Sequence, residues 1–177
     1  MARPLASAKL KGIFGDGFDY EAVRSKRVEL MDNYVEKNGI EVKSGAKELL
    51  SFLKENGYKV ALATATPPQR AERYLKAHDL YKYFDVTVSA SMVSVGKPAP
   101  DIYLKAAEML GLSPQNCVAL EDSPNGIKSA SSAGCVTVMV PDLDKPSNDI
   151  IPLLHGVADG LSDVKRILRE LEDCNIQ

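Results

Sequence analysis

The run Tyr58-Lys-Val-Ala-Leu-Ala63, closing in Thr64-Ala65-Thr66 and followed at once by Pro67-Pro68, decides the fold. It has the length and apolar character of a strand covered on both faces. Proline is tolerated in the first turn of a helix and not deeper, so a helix is expected to start at Pro67-Pro68 and run to about Ala77. Working upstream, Ala46, Leu49, Leu50 and Leu53 share one helical face, with Ser44 placed to cap the start and Gly57 to end it. Downstream the cycle repeats: strands over Phe84–Val88, Cys117–Leu120 and Cys135–Val140, and helices over Pro100–Leu110 and Asn125–Ala133. Val164, Ile167, Leu168 and Leu171 then mark a last amphipathic helix at i, i+3, i+4 and i+7. Short apolar strands separated by such helices are βαβ units, so residues 44–177 read as an α/β core with a doubly wound parallel sheet.

Residues 1–43 differ. Val28, Met31 and Val35 among many charges predict a long helix from Tyr20 to Lys37 ending at Gly39. Lys9-Leu-Lys-Gly-Ile-Phe14 is the only strand candidate before it, and Gly12 weakens that reading. The whole chain has 177 residues, 45% hydrophobic and 26% charged, which suits one principal core. Its 22 Lys+Arg against 24 Asp+Glu give a net charge of −2, so no basic excess exists to hold nucleic acid or an anionic membrane. No stretch approaches the roughly 20 apolar residues of a membrane span, and the chain reads as cytoplasmic. Cys117, Cys135 and Cys174 are odd in number and widely spaced, which excludes a zinc cluster or a disulfide framework and predicts reduced thiols, buried at Cys117 and Cys135. His78 and His155 sit in no nucleophile motif and are expected at the surface.

In open α/β sheets ligands bind beyond the carboxyl ends of the strands, so the polar residues following each apolar run carry the chemistry. Thr64 precedes a helix start, where its hydroxyl and the following N–H groups suit a phosphate oxygen; the plainer reading makes Thr64 or Thr66 a helix cap. Lys97, in Val95-Gly-Lys-Pro-Ala-Pro100, is presented by a proline-stiffened loop as a point charge for phosphate, or is simply a solvated lysine. Glu121 and Asp122 end a strand as adjacent carboxylates whose repulsion a magnesium ion would relieve, although Asp122 or Ser123 could equally cap the next helix.

Taken in order, Lys59-Val-Ala-Leu-Ala-Thr64-Ala-Thr66, Gly96-Lys97-Pro98-Ala-Pro100-Asp101-Ile-Tyr103 and Glu121-Asp122-Ser123-Pro-Asn125-Gly126-Ile127 with Ala133-Gly134 resemble the haloacid dehalogenase superfamily. The likeness is to its phosphatase and β-phosphoglucomutase-like branch and covers roughly residues 20 to 170. It implies a Rossmann-like core, a small phosphorylated metabolite as substrate, and Mg2+ as cofactor. It also implies that Thr64 and the backbone of Ala65 bind the transferring phosphoryl group, that Lys97 neutralises its charge, and that Glu121 and Asp122 position the metal. The helix from Tyr20 to Lys37 resembles part of an α-helical cap that selects substrate. There Arg24, Lys26 and Arg27 read either as a clamp or as a solvated helix face.

One family feature is lacking. The superfamily's nucleophile is the first Asp of an Asp-x-Asp at the end of an N-terminal strand, and no such motif occurs near this N-terminus. Asp16 and Asp19 are three apart and follow no apolar strand, so no nucleophile is assigned. In relatives that strand lies between the strands ending at Thr64 and at Leu120. Its place must be filled by direct pairing of the two neighbours, by Lys9–Phe14, or by a strand from another chain. Two functions follow. The first is a magnesium-dependent phosphatase or phosphomutase whose activity in this chain is impaired. The second is a non-catalytic phosphate- and metal-binding remnant that self-associates or is completed by a partner's strand.

Overall fold

The computed structural model describes residues 3–174, and the side chains of 6–173. The chain divides into two compact units, Met1–Val42 and Lys43–Gln177.

The first unit holds two helices, α1 (Arg3–Phe14) and α2 (Tyr20–Asn38). Lys9–Phe14, the strand candidate, is therefore helical. Ala, Leu and Lys make up half of α1 and favour a helix, and Ile13 is its only β-branched residue. The side chain of Asp19 caps α2 by accepting from Ala22 N–H at 2.9 Å, and α2 stops where Gly39 adopts φ 76°.

The second unit alternates strand and helix. α3 (Ala46–Glu55) leads to β1 (Ala61–Thr64), α4 (Pro68–Ala77) and β2 (Val86–Ser89), and then to α5 (Asp101–Leu110) and β3 (Val118–Glu121). α6 (Pro124–Ser132), β4 (Val136–Met139), β5 (Gly156–Val157) and α7 (Val164–Cys174) complete it. The expected cap at Ser44 is not formed: Gly45, at φ 81°, occupies the N-cap and supplies no side chain. All strand pairs are parallel, β1 with β2, β3 with β4, and β4 with β5.

Helices cover both faces, as a doubly wound sheet requires. On one face Ile102, Tyr103 and Ala106 of α5 and Ala130 of α6 pack with Val88 and Ala119. On the other, Leu49 of α3 and Val164, Ile167 and Leu168 of α7 pack with Val138 and Val140. Each fully buried aliphatic residue, such as Ile102 or Ile127, contributes about 1.5–3 kcal/mol by leaving water. The sheet is divided into β1-β2 and β3-β4-β5, and β1 is not paired with β3. Among the described residues no helix is long and apolar enough to cross a membrane.

Candidate active site

β1 delivers Thr64 and β3 delivers Glu121 at their carboxyl ends, and Lys97 links the two. Its ammonium donates to the carbonyl of Ala63 at 3.2 Å and pairs with Glu121 Oε1. It also lies 3.5 Å from the Tyr103 hydroxyl and 5.0 Å from the centre of that ring. The Lys97 side chain is 20% exposed and that of Glu121 only 7%, so this pair is far better shielded than an ordinary surface bridge. Tyr103 donates its own hydroxyl to Glu121 Oε1. Burial, and then the negative charge of Glu121, push the Tyr103 phenol well above its usual range, so it remains a donor.

The loops that present these groups are tied down by short polar side chains. Thr64 Oγ1 accepts from the Thr66 N–H at 3.0 Å, and the buried Ser89 hydroxyl donates to the Thr66 carbonyl at 3.0 Å. Because α4 begins after Pro67 with no side-chain cap, neither threonine serves as a helix cap. The Lys97 loop is held at both ends. Asp101 Oδ1 accepts from Val95 N–H at 3.2 Å, and the buried Ser129 hydroxyl donates to the Ala99 carbonyl at 2.6 Å. Ser123 caps α6, accepting from Gly126 N–H at 3.2 Å, and its hydroxyl lies 3.5 Å from Glu121 Oε2. Gly126 is needed for space: a Cβ there would overlap the Glu121 carboxylate.

Thr64 is half-buried, Ala65 exposed, Glu121 buried and Asp122 exposed. Of the two adjacent carboxylates, Glu121 turns inward to Lys97 and Tyr103 while Asp122 faces solvent. Tyr103, Ser89, Ser129 and Gly126 were not singled out from sequence as parts of the site. Tyr103 and Gly126 stand in quoted motifs, and a buried tyrosine or serine requiring a polar partner is the signal that could have found the others.

Asp16 sits exposed in the turn between α1 and α2, and Asp19 is occupied as a cap. Lys26 pairs with Glu29 at 2.7 Å and Arg24 lies 4.0 Å from Glu21, an ion-paired helix face. Cys135 is buried, and burial raises its thiol to about 11; Cys117 is only half-buried, with its thiol raised for the same reason. Both are free, and the Cys174 side chain lies outside the described residues. His155 is exposed, its Nδ1 accepting from Thr137 N–H at 3.1 Å, and His78 is half-buried.

Similarity to known proteins identifies the family. The family profile of haloacid dehalogenase-like hydrolases matches residues 9–134. A phosphorylated carbohydrates phosphatase of Thermotoga maritima is 40% identical over 124 residues, covering 70% of this chain and 50% of that protein. Hexitol phosphatase B of Escherichia coli is 40% identical over 97 residues, 55% of this chain and 44% of that one. The chain thus spans about half the length of these curated relatives. Among solved structures, a putative beta-phosphoglucomutase from Thermotoga maritima superposes with a TM-score of 0.74 at 30% identity, covering 96% of this chain and 79% of that one.

Proposed function

This chain belongs to the haloacid dehalogenase-like hydrolases, and from that premise we propose that its site binds the phosphoryl group of small phosphorylated metabolites, sugar phosphates among them, for hydrolysis or phosphomutase transfer. The observation that carries the reading is the Lys97 ammonium, held between the carboxyl end of β1 at Ala63 and the carboxyl end of β3 at Glu121. A cation shielded from water at the mouth of a parallel sheet is worth far more to a phosphoryl oxygen than one in bulk solvent. The names of the relatives, a carbohydrate phosphatase and a hexitol phosphatase, support the substrate class.

The roles follow from donor capacity. Thr64 Oγ1 already accepts from Thr66, which leaves its hydroxyl proton to donate to a phosphoryl oxygen beside the backbone of the exposed Ala65. Lys97 has three N–H donors, directed at Ala63, Glu121 and Tyr103. The contact with Tyr103 at 3.5 Å is the weakest hydrogen bond of the three and is the one a phosphate would replace. Glu121 fixes the ammonium in place.

Among the described residues no group of three His, Cys, Asp or Glu side chains is assembled as a metal cage. Magnesium needs none, since one or two carboxylates with waters and substrate phosphate suffice. Of the two carboxylates Asp122 is the one exposed toward an ion, while Glu121 is engaged by Lys97 and Tyr103; together they would hold the ion, which would supply charge neutralisation at the phosphoryl oxygens. No Asp-x-Asp stands near the start of these residues, and Asp19 is spent as the cap of α2. The 177 residues alone are therefore expected to bind phosphate without appreciable turnover. Release of p-nitrophenol from p-nitrophenyl phosphate with Mg2+ tests this; vigorous metal-dependent release would overturn it. A second reading, a non-catalytic phosphate- and metal-binding protein completed by a partner, is favoured by the divided sheet.

A further inference from the structure

Cys117 stands immediately before β3 and Cys135 immediately before β4. In that parallel pair Val118 lies opposite Val136, and the Val136 N–H donates to the Cys117 carbonyl at 3.0 Å. The two cysteines therefore stand opposite each other, one position before the paired residues begin. Residues two apart on a strand share a face, which puts Cys117 on the side of Ala119. Ala119 and Cys135 belong to one apolar cluster with Ile102, Ala106 and Ala130, and Cys117 packs against it, so both thiols project toward α5 and α6. Neighbouring strands lie about 4.7–4.9 Å apart, inside the range of roughly 4.4–6.8 Å between Cα atoms over which a disulfide closes. Cys117 follows the 3-10 turn Pro114–Asn116, and Cys135 follows Gly134 at φ 85°, so neither is enclosed within the ladder. Both are free thiols at the opposite ends of the strands from Glu121, and the candidate site uses neither. The Cys117 thiol donates to the Ser113 carbonyl at 3.4 Å.

We infer that Cys117 and Cys135 are a redox modification site, a thiol pair that a hydroperoxide converts to an intramolecular disulfide and a dithiol reopens. The half-buried Cys117 reacts first, because Cys135 is only 4% exposed. Its thiolate attacks one peroxide oxygen: the S–O bond forms, the O–O bond breaks, and the other oxygen leaves and takes a proton, as water when the oxidant is hydrogen peroxide. The Cys135 sulfur then attacks the resulting sulfenic acid: the S–S bond forms, the S–O bond breaks, and hydroxide leaves with the thiol proton as a second water. Two thiols lose two electrons and one peroxide gains them. Burial holds both thiols above their ordinary range, so at neutral pH each is protonated and the bond closes slowly, under sustained oxidant. The cross-link ties off the segment that carries α6, whose Ser123 caps the helix beside Glu121 and whose Ser129 holds the Ala99 carbonyl of the Lys97 loop. Such a loop closure stabilises the fold by constraining the unfolded chain. The inference is independent of the phosphate reading, since it involves neither phosphate nor metal.

The test uses the full chain carrying Cys174→Ser, which leaves only this pair of thiols. The folded protein is treated with hydrogen peroxide and read by intact mass and peptide mapping. The expected product is lighter by about 2 Da, joins the Cys117 and Cys135 peptides, returns to two free thiols with dithiothreitol, and melts at a higher temperature than the reduced form. Its rate of formation should rise about tenfold per pH unit through the neutral range, as the thiolate fraction of a high-pKa thiol does. Adding Cys135→Ala should stop the reaction at a Cys117 sulfenic acid that dimedone traps, whereas adding Cys117→Ala should leave Cys135 largely unmodified. Absence of the 2 Da loss overturns the inference, as does oxidation of Cys117 to the sulfinic acid, about 32 Da heavier, while Cys135 stays reduced. A disulfide that joins two chains, or one that forms in urea but not in the folded protein, overturns it as well.

Discussion

Replacing Lys97 by methionine is the most revealing single perturbation. The change keeps the aliphatic stem and removes the charge, leaving Glu121, 7% exposed, with only the Tyr103 hydroxyl and the distant Ser123 hydroxyl as partners. Breaking a buried ion pair from one side costs about 3–5 kcal/mol, because the remaining charge stays desolvated. The hydrogen bond retained from Tyr103 places the expected loss near the lower end, about 3 kcal/mol, a large share of the roughly 5–15 kcal/mol that stabilises a domain. Lys26→Met, which breaks the exposed Lys26–Glu29 pair, is the internal control and should cost about 0.5 kcal/mol or less. The double change Lys97→Met with Glu121→Gln removes both charges and should recover most of the loss, giving a coupling energy of about 2 kcal/mol. Urea unfolding followed by far-UV circular dichroism and tyrosine fluorescence measures these proteins together with the Glu121→Gln single variant that closes the cycle, since the chain has no tryptophan. A Lys97→Met cost no greater than that of Lys26→Met, or a double mutant as unstable as the sum of its parts, would refute the claim that this pair is a shielded, coupled unit.

Three further outcomes are expected. Gly126→Ala places a Cβ on the Glu121 carboxylate and should cost about 1–3 kcal/mol, with the Lys97–Glu121 contact displaced in a crystal structure of the variant. Tyr103→Phe removes a hydrogen bond to a buried carboxylate and should cost about 1.5–3 kcal/mol in the same urea assay, with the helical signal unchanged. Burial, and then the hydrogen bond to Glu172, raise the Tyr58 phenol from 10.0 to about 12, so the fold favours its protonated form. That contribution is fully present below pH 10 and is lost as pH climbs from 10 toward 12; Tyr58→Phe should flatten the decline in thermal stability over that window, leaving the part owed to Tyr103, which shifts the same way.

The alternation of apolar runs and amphipathic helices was legible because burial on two faces writes a continuous apolar strand and burial on one face writes a 3.6-residue stripe. β1 to β4 and α2 to α7 follow that pattern within a few residues at their ends. α1 was not legible: Lys9–Phe14 is too short to display a period, and Ile13-Phe14 resembles the end of a strand. β5, two residues long, carries no pattern at all. At the candidate site, the rim positions of Thr64, Lys97 and Asp122 could be read because each directly follows or precedes a recognisable element. The inward turn of Glu121 could not. It depends on Tyr103, 18 residues earlier on α5, and on room that Gly126 leaves. Local spacing does not encode a contact of that kind. The divided sheet was foreseeable as a missing partner between two strands, but that Lys9–Phe14 does not fill the gap depended on the helical preference of residues 3–14.

The most direct measurement is isothermal titration calorimetry of orthophosphate into the chain with Mg2+ present, repeated with Lys97→Ala and with Asp122→Asn. A cation fixed between β1 and β3 beside a metal foothold predicts millimolar binding that weakens on removing magnesium and falls at least about tenfold in Lys97→Ala. Absence of heat in the unaltered chain, or binding that neither Lys97→Ala nor magnesium removal affects, would contradict it.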